Sequence, residues 1–163
     1  IVFGPGRRVN VYNLFAQLAR GRFIMVGDGE NRKSMAYVQN IASFLAHMTD
    51  YKPDASATLV YNYCDKDDFR MNELLSVVRK ALGRGEASRV RLPYSLGLAI
   101  GSMFDAAAGI SGRNFPIGRT RVENFCANTI FAAERRRETG FVAPFDLKQA
   151  VQDTVVTEFG AAA

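Results

Sequence analysis

The stretch from Phe23 to Leu45, FIMVGDGENRKSMAYVQNIASFL, constrains the fold most, because it must change both direction and periodicity within a short span. Phe23 to Val26 reads as a short apolar strand, Gly27-Asp28-Gly29 as a turn, and Arg32-Lys33 as a basic pair following it. From Tyr37-Val38 onward the period becomes helical, and Val38, Ile41, Ala42 and Leu45 share one face, which predicts that this face belongs to the core. Flexible backbone, positive charge and a packed scaffold to hold both suit an anion.

The elements around this stretch follow from local punctuation. Gly4-Pro5-Gly6 forces a sharp turn after the strand-like Ile1-Val2-Phe3, since proline fixes φ and glycine admits conformations that other residues avoid. Val11, Leu14, Phe15, Leu18 and Ala19 form an amphipathic stripe stopped by Gly21, with Asn10 at the helix start as its N-cap, where a side-chain amide and free N–H groups converge. Thr58 to Tyr63 reads as a strand and Asp65 to Asp68 as the polar loop after it. Leu74, Leu75, Val78, Ala81 and Leu82 make the next helical stripe, closed by Gly83.

Pro93 opens the most apolar segment, Tyr94 to Ile110, which carries Gly97-xxx-Gly101 and Asp105. It sits at the short limit for a bilayer span and has a charge and glycines inside it, so it is expected to be a packed helix and not a membrane span. Gly118 to Ala127 and Ala132 to Thr139 read as helices, and a last helix begins at Asp146, with Gln149 at capping-box spacing and Leu147, Ala150, Val151, Thr154 and Val155 facing the core. The Ala161 to Ala163 tail is expected to fray.

At 163 residues and 18.0 kDa the chain fits one domain, residues 1–163. Its opening on Ile1-Val2-Phe3 reads as the end of a buried strand, so a piece of a larger protein is expected. The 48% apolar and 23% charged content is that of a soluble globular protein, and with no secretory signal a cytoplasmic location is expected. The net charge of +5 suits a polyanion or several small anionic sites. The basic clusters are dispersed and lack the aromatic interleaving of single-strand binders, which argues against nucleic acid. Cys64 and Cys126 have no CxxC spacing and are expected to be free thiols; the single histidine, His47, has no metal-ligand partner in sequence.

Three GxG sites begin at Gly4, Gly27 and Gly83, and each lacks the third glycine of a dinucleotide fingerprint, with Val9, Arg32 and Ser88 standing there. P-loop, HExxH and GxSxG patterns are missing too, and so is any Tyr followed four residues later by Lys. The residues alone therefore yield no catalytic set, no metal site and no cofactor site. They leave an anion-binding surface built from Asn10, Arg32 or Lys33, and Arg119 or Arg121. On a helix Arg119 and Arg121 face different ways, so one of them at most points at a given ligand.

The order of FGPG (Phe3 to Gly6), Asn10, IMVGDG (Ile24 to Gly29), RK-x-x-AYVxNIA (from Arg32) and CANT...ETGFVAPFDLKQAVQDTV (from Cys126) resembles the C-terminal half of extended short-chain dehydrogenase/reductases. More narrowly it is similar to the nucleotide-sugar epimerases and dehydratases. The resemblance implies a small α+β substrate domain of about six helices and a few short strands, accompanying an N-terminal Rossmann domain outside this sequence. That other half would bind NAD and carry the catalytic Ser/Thr, Tyr and Lys; this one would hold a nucleoside diphosphate sugar such as a UDP-sugar, bind no cofactor itself, and serve polysaccharide biosynthesis. A homodimer of the full enzyme is compatible with it.

By the same resemblance Asn10 hydrogen-bonds the diphosphate and the backbone of Ile24, Met25 and Val26 lies beside the nucleobase. The family's diphosphate arginine falls on Lys33, with Arg32 as the substitute, and the second falls on Arg121 or Arg119. Lysine supplies the charge without the bidentate fork. Ser34 and Gln39-Asn40 replace the family's acidic residues, as in a divergent subgroup. Two other readings stand beside this one: a short-chain dehydrogenase/reductase acting on a non-sugar substrate, and a non-enzymatic anion-binding module.

Overall fold

The computed structural model describes residues 1–8, 10–52, 58–85, 91–112 and 118–160. The loop readings across 86–90 and 113–117 and the 161–163 tail lie outside them. Among the described residues the element order is β1 (Val2–Phe3), α1 (Asn10–Ala19), β2 (Met25–Val26), β3 (Arg32–Tyr37), α2 (Val38–Asp50), β4 (Asp65–Arg70), α3 (Met71–Ala81), β5 (Arg91–Leu92), α4 (Tyr94–Ser111), α5 (Arg119–Cys126), a 3-10 helix (Glu134–Thr139) and α6 (Leu147–Phe159). This is the α+β mixture of about six helices and a few short strands expected from the sequence.

Two small sheets organise it. In one, β3 runs parallel to β1, with Val2 opposite Ala36, and antiparallel to β4, with Lys33 opposite Phe69. In the other, β2 pairs in parallel with β5, placing Met25 opposite Arg91 and Val26 opposite Leu92. Helices α1, α3 and α6 pack together over the first sheet, and α4 and α5 pack on each other beside the second. The main core gathers Phe3 from β1, Phe15 from α1, Met35 from β3, Phe69 from β4, Val78 from α3, and Val151 and Val155 from α6. Each such buried apolar side chain contributes roughly 1.5–3 kcal/mol over its exposed state.

Helix α6 forms as its pattern predicts, with all five stripe residues buried. Asp146 is its N-cap, its carboxylate accepting from the Lys148 and Gln149 backbone N–H groups at 2.9 and 3.1 Å. The capping box is only half built: the Gln149 side chain donates to Asp153 instead of reaching back. Helix α3 also matches, and Gly83 beyond its end takes φ +64, the left-handed conformation that favours glycine.

The strands depart from expectation in four ways. Only Met25–Val26 of the run from Phe23 pairs as strand. The basic pair begins a six-residue strand, β3, where the sequence suggested a turn leading directly into a helix. Thr58 to Tyr63 is not strand, and the acidic segment read as a loop is β4. The reason is internal satisfaction of the carboxylates. Buried Asp65 accepts from the Tyr37 N–H (2.7 Å), the Asn40 amide (3.1 Å) and the Tyr63 hydroxyl (2.8 Å), while Asp68 accepts from the Ser34 hydroxyl at 2.6 Å and Lys66 at 2.9 Å. Acidic residues disfavour strands mainly because their groups need partners, and here β3 and α2 supply them.

Helix α2 buries a different face from the one its stripe predicts. Asn40 and Phe44 are inside, whereas Val38 is 36% and Leu45 61% exposed. Phe44 packs on Tyr63 and Phe141, at ring-centroid distances of 5.0 and 5.2 Å, so a local aromatic cluster decides the orientation over the aliphatic stripe. Ala132 to Thr139 is a 3-10 helix confined to Glu134–Thr139. Asn10 is the first residue of α1 itself, and its side chain has no hydrogen bond among the described residues.

Candidate substrate site

Lys33 is buried on β3, and its ammonium donates to the carbonyl oxygens of Asn124 (2.8 Å) and Ala127 (2.6 Å) and to the Thr129 hydroxyl (3.3 Å). An ammonium has three protons, so its donors are all engaged. The two carbonyls lie at the C-terminal end of α5, where carbonyl groups lack intrahelical partners and the helix dipole favours a cation. Burial pulls the Lys33 pKa below its usual value, with Cys126 nearby acting the other way.

Around this tether the chain after α5 is stitched to β3. The Ser34 N–H donates to the Thr129 carbonyl at 2.7 Å, the Thr129 N–H to the Arg32 carbonyl at 2.8 Å, and the Arg32 N–H to the Asn128 side chain at 2.7 Å. The Asn31 amide reaches the Phe125 carbonyl at 2.8 Å, the Cys126 thiol donates to the Val26 carbonyl at 3.5 Å, and the Phe23 and Phe125 rings lie 5.9 Å apart. The structure thus brings Phe23, Val26 and Lys33 against the helix that carries Arg119 and Arg121, with Ile24 and Met25 between the first two. Met25 is buried, Val26 half-buried, and Ile24 is 57% exposed.

Arg32 takes the opposite face of β3, as alternation along a strand requires. It borders an open cleft of about 490 Å³ whose four basic and four acidic side chains offset one another. Lys66 pairs with Asp68 at 2.9 Å and Lys148 with Glu73 at 2.8 Å within it. Burial raises the Asp68 carboxyl, but the Ser34 hydroxyl, Lys66 and the charge of Arg32 outweigh it and hold its pKa below the usual value. The two members of the basic pair therefore serve different surfaces.

Arg119 opens α5 with its N–H on the Asp105 carboxylate (2.9 Å) and its guanidinium on Glu123 (2.9 Å). Arg121 is exposed on the same helix. Asn10 is exposed at the start of α1, with no hydrogen-bond partner among the described residues, and no described contact joins it to the β2–α5 group. Sequence reasoning missed Asn31, Asn128 and Thr129. CANT carries the last two, but their pairing with β3 spans more than ninety positions and leaves no local signal.

The glycine pairs do not suit a dinucleotide. Gly27 and Gly29 connect two strands, and Gly83 and Gly85 follow α3, whereas a phosphate loop must lead from a strand into a helix. The Gly4–Gly6 turn does join β1 to α1, but Val9 stands where the third glycine belongs.

No established protein-family profile matches the chain. It is 43% identical, over 159 residues and 98% of its length, to 47% of the N-acetyl-alpha-D-glucosaminyl-diphospho-ditrans,octacis-undecaprenol 4-epimerase of Escherichia coli O157:H7. It is 25% identical, over 93% of its length, to 47% of the 2-alkyl-3-oxoalkanoate reductase of Stenotrophomonas maltophilia. Among solved structures, UDP-glucose 4-epimerase of Thermotoga maritima with UDP-glucose aligns over 99% of this chain and 44% of its own, with TM-score 0.61 and 15% identity. UDP-glucuronic acid 4-epimerase of Bacillus cereus in complex with NAD aligns over 97% and 43%, with TM-score 0.62 and 13% identity. The chain spans about half the length of the curated relatives it matches. The resemblance to extended short-chain dehydrogenase/reductases of the NAD-dependent epimerase/dehydratase kind is upheld, and the fold is that of their C-terminal half.

Proposed function

We propose, from the premise of a chain similar over nearly its whole length to half of a sugar 4-epimerase, that it is the substrate-holding half of an NAD-dependent sugar-diphosphate epimerase. The observation that carries this reading is the 43% identity over 98% of the chain. NAD, bound by the other half, would supply the acceptor and donor of a hydride at a ring carbon of the sugar. The residues here would grip the diphosphate, so that binding energy from a remote group orients the sugar for reaction.

In this reading Arg121 and the free amide of Asn10 meet the diphosphate. Lys33 holds the C-terminal end of α5, the helix that carries Arg121 in its first turn, and it supplies positive charge beneath that helix. Arg32 faces the charge-balanced cleft and is not the principal phosphate ligand in this reading, and Arg119 pairs with Glu123. The exposed Ile24 and the backbone through Val26 would lie beside whatever carries the diphosphate.

That carrier separates two readings. A nucleoside is what the sequence resemblance implies and what the neighbours at 13–15% identity, both UDP-sugar epimerases by name, would take. A polyprenol is what the relative at 43% identity has, and that higher identity favours it. The test is steady-state kinetics of the full-length enzyme with Arg121→Ala and, separately, Arg32→Ala. Loss of a charge-assisted bond should raise the KM for the sugar diphosphate about tenfold or more in Arg121→Ala. Arg32→Ala should leave it unchanged, and NAD affinity should hold in both. Equal kinetics for Arg121→Ala and the parent enzyme would sink the diphosphate assignment.

A further inference from the structure

Helix α4 is apolar on two sides, and only one of them is covered by the described residues. Its inner side carries Gly97 and Gly101, both buried: a Cβ at Gly97 would stand 2.6 Å from Val26, and one at Gly101 would stand 2.7 Å from the Arg119 backbone nitrogen. Asp105, the helix's only charged residue, turns toward α5 and accepts the Arg119 N–H. The outer side repeats every seven residues through Leu96, Met103 and Ile110, which are 48%, 71% and 90% exposed. Seven residues are close to two helical turns, so the three form one stripe about 21 Å long at 1.5 Å per residue. No charged side chain interrupts it.

An outward helix face in a globular protein normally carries polar residues, and a helix apolar all round is normally covered on all sides. No helix among the described residues, α4 included, is long and apolar enough to cross a membrane. Two observations favour lipid as the occupant. The chain has a net charge of +5, complementary to an anionic bilayer, and the stripe itself offers no carboxylate to oppose one. The relative at 43% identity acts, by its name, on a sugar diphosphate carried on undecaprenol, a substrate whose carrier is itself a lipid.

We propose that the Leu96–Met103–Ile110 face of α4 seats this protein on an anionic membrane surface. The site on α5 and β2 then faces a sugar diphosphate whose tail is embedded there. The proposal rests on the polyprenol form of the function proposed above. Apolar side chains enter the acyl boundary while basic groups stay at the headgroups, and binding grows with the apolar area inserted. Helix α5, packed against the inner side of α4, lies about one helix diameter, roughly 10 Å, behind that face.

The test is co-flotation of the full-length protein with vesicles of phosphatidylglycerol and phosphatidylethanolamine, comparing the parent with the double variant Met103→Glu, Ile110→Glu. Both positions are exposed among the described residues, and a circular dichroism melt checks that the variant keeps its fold; loss of the fold would mean that the stripe is covered within the full-length protein and would overturn the proposal. The expected result is vesicle binding by the parent that falls roughly tenfold or more in the variant. Turnover of a detergent-solubilised polyprenyl diphosphate sugar should stay unchanged. A parent that does not float, or a folded variant that floats as well as the parent, overturns the proposal. So does a variant that dissociates a dimer in sedimentation without any vesicle binding, since the stripe is then an interface between copies. Variant-sensitive flotation without turnover of any sugar diphosphate would leave the lipid-facing surface standing and overturn the functional reading alone.

Discussion

Asn40 and the backbone of Phe145 exchange two hydrogen bonds, the side-chain amide donating to the carbonyl at 2.9 Å and its oxygen accepting the N–H at 3.0 Å. One side chain on α2 thereby completes the backbone of the segment leading into α6, 105 positions away. The same amide nitrogen donates to Asp65, and Asn40 is fully buried. Asn40→Ala strands the Phe145 N–H and carbonyl and takes one of three donors from Asp65, and should cost about 3 kcal/mol in urea unfolding of the protein. Asn40→Asp should cost at least as much near neutral pH, because it sets a second carboxylate against Asp65. A change below about 0.5 kcal/mol for both would refute this role.

Lys33 is a structural cation in this fold before it is anything else. Lys33→Met keeps the length of the stem but leaves the Asn124 and Ala127 carbonyls without their donor. The expected loss is about 2–3 kcal/mol of stability by chemical denaturation. In kinetics the same substitution should raise KM for a sugar diphosphate through a loosened α5. Unaltered stability alongside a higher KM would instead mean that Lys33 meets the ligand directly.

Gly101 offers a test in which the usual sign reverses. Replacing a glycine inside a helix by alanine ordinarily stabilises by up to about 1 kcal/mol. Here the added Cβ would stand 2.7 Å from the Arg119 nitrogen and 2.8 Å from its Cα, both backbone atoms that cannot swing aside. Gly101→Ala should therefore lower the melting temperature, whereas Gly109→Ala, with open space around it, should hold or raise it.

Acid should weaken the β3–β4 pair through Asp68. Its pKa in the folded chain lies below the unfolded value, so the folded state favours the charged form. The stabilisation is complete above the unfolded carboxylate value of about 3.9 and disappears as pH falls through the lower folded value. Asp68→Asn should remove that part of the pH dependence, so the stability gap between parent and variant should narrow on acidification. A gap that stays constant from neutral pH to below about pH 3 would count against it.

The helices were legible in the sequence where stripe and cap fell within the same dozen residues. Asp146 and the Leu147 to Val155 stripe specify α6 locally, and the α3 stripe with Gly83 does the same. The strands were not, because β3 and β4 exist through each other. Ser34 and Asp68 look like loop residues until the hydroxyl of one is found on the carboxylate of the other. Helix α2 shows a further limit: periodicity finds a helix but cannot choose which face is covered, and Phe44 outweighed Leu45. At the candidate site, Ile24 to Val26 and Lys33 were legible as positions. That Arg32 and Lys33 diverge follows from β3 being a strand, and hence from a pairing partner over thirty residues away.

The Lys33 to Ala127 tether closes a span of 94 positions that includes the four helices α2 to α5. Closing so long a loop costs entropy that grows only slowly with length, so it is affordable, but it comes after the local helices have formed. Helices α4 and α5 hold each other through Gly101 and Arg119 and hold the rest of the molecule through β2, β5 and this tether. Their mutual packing makes concerted opening the expected outcome. In hydrogen exchange, the α4 and α5 amides should open together, at a lower free energy than those of α3 and α6.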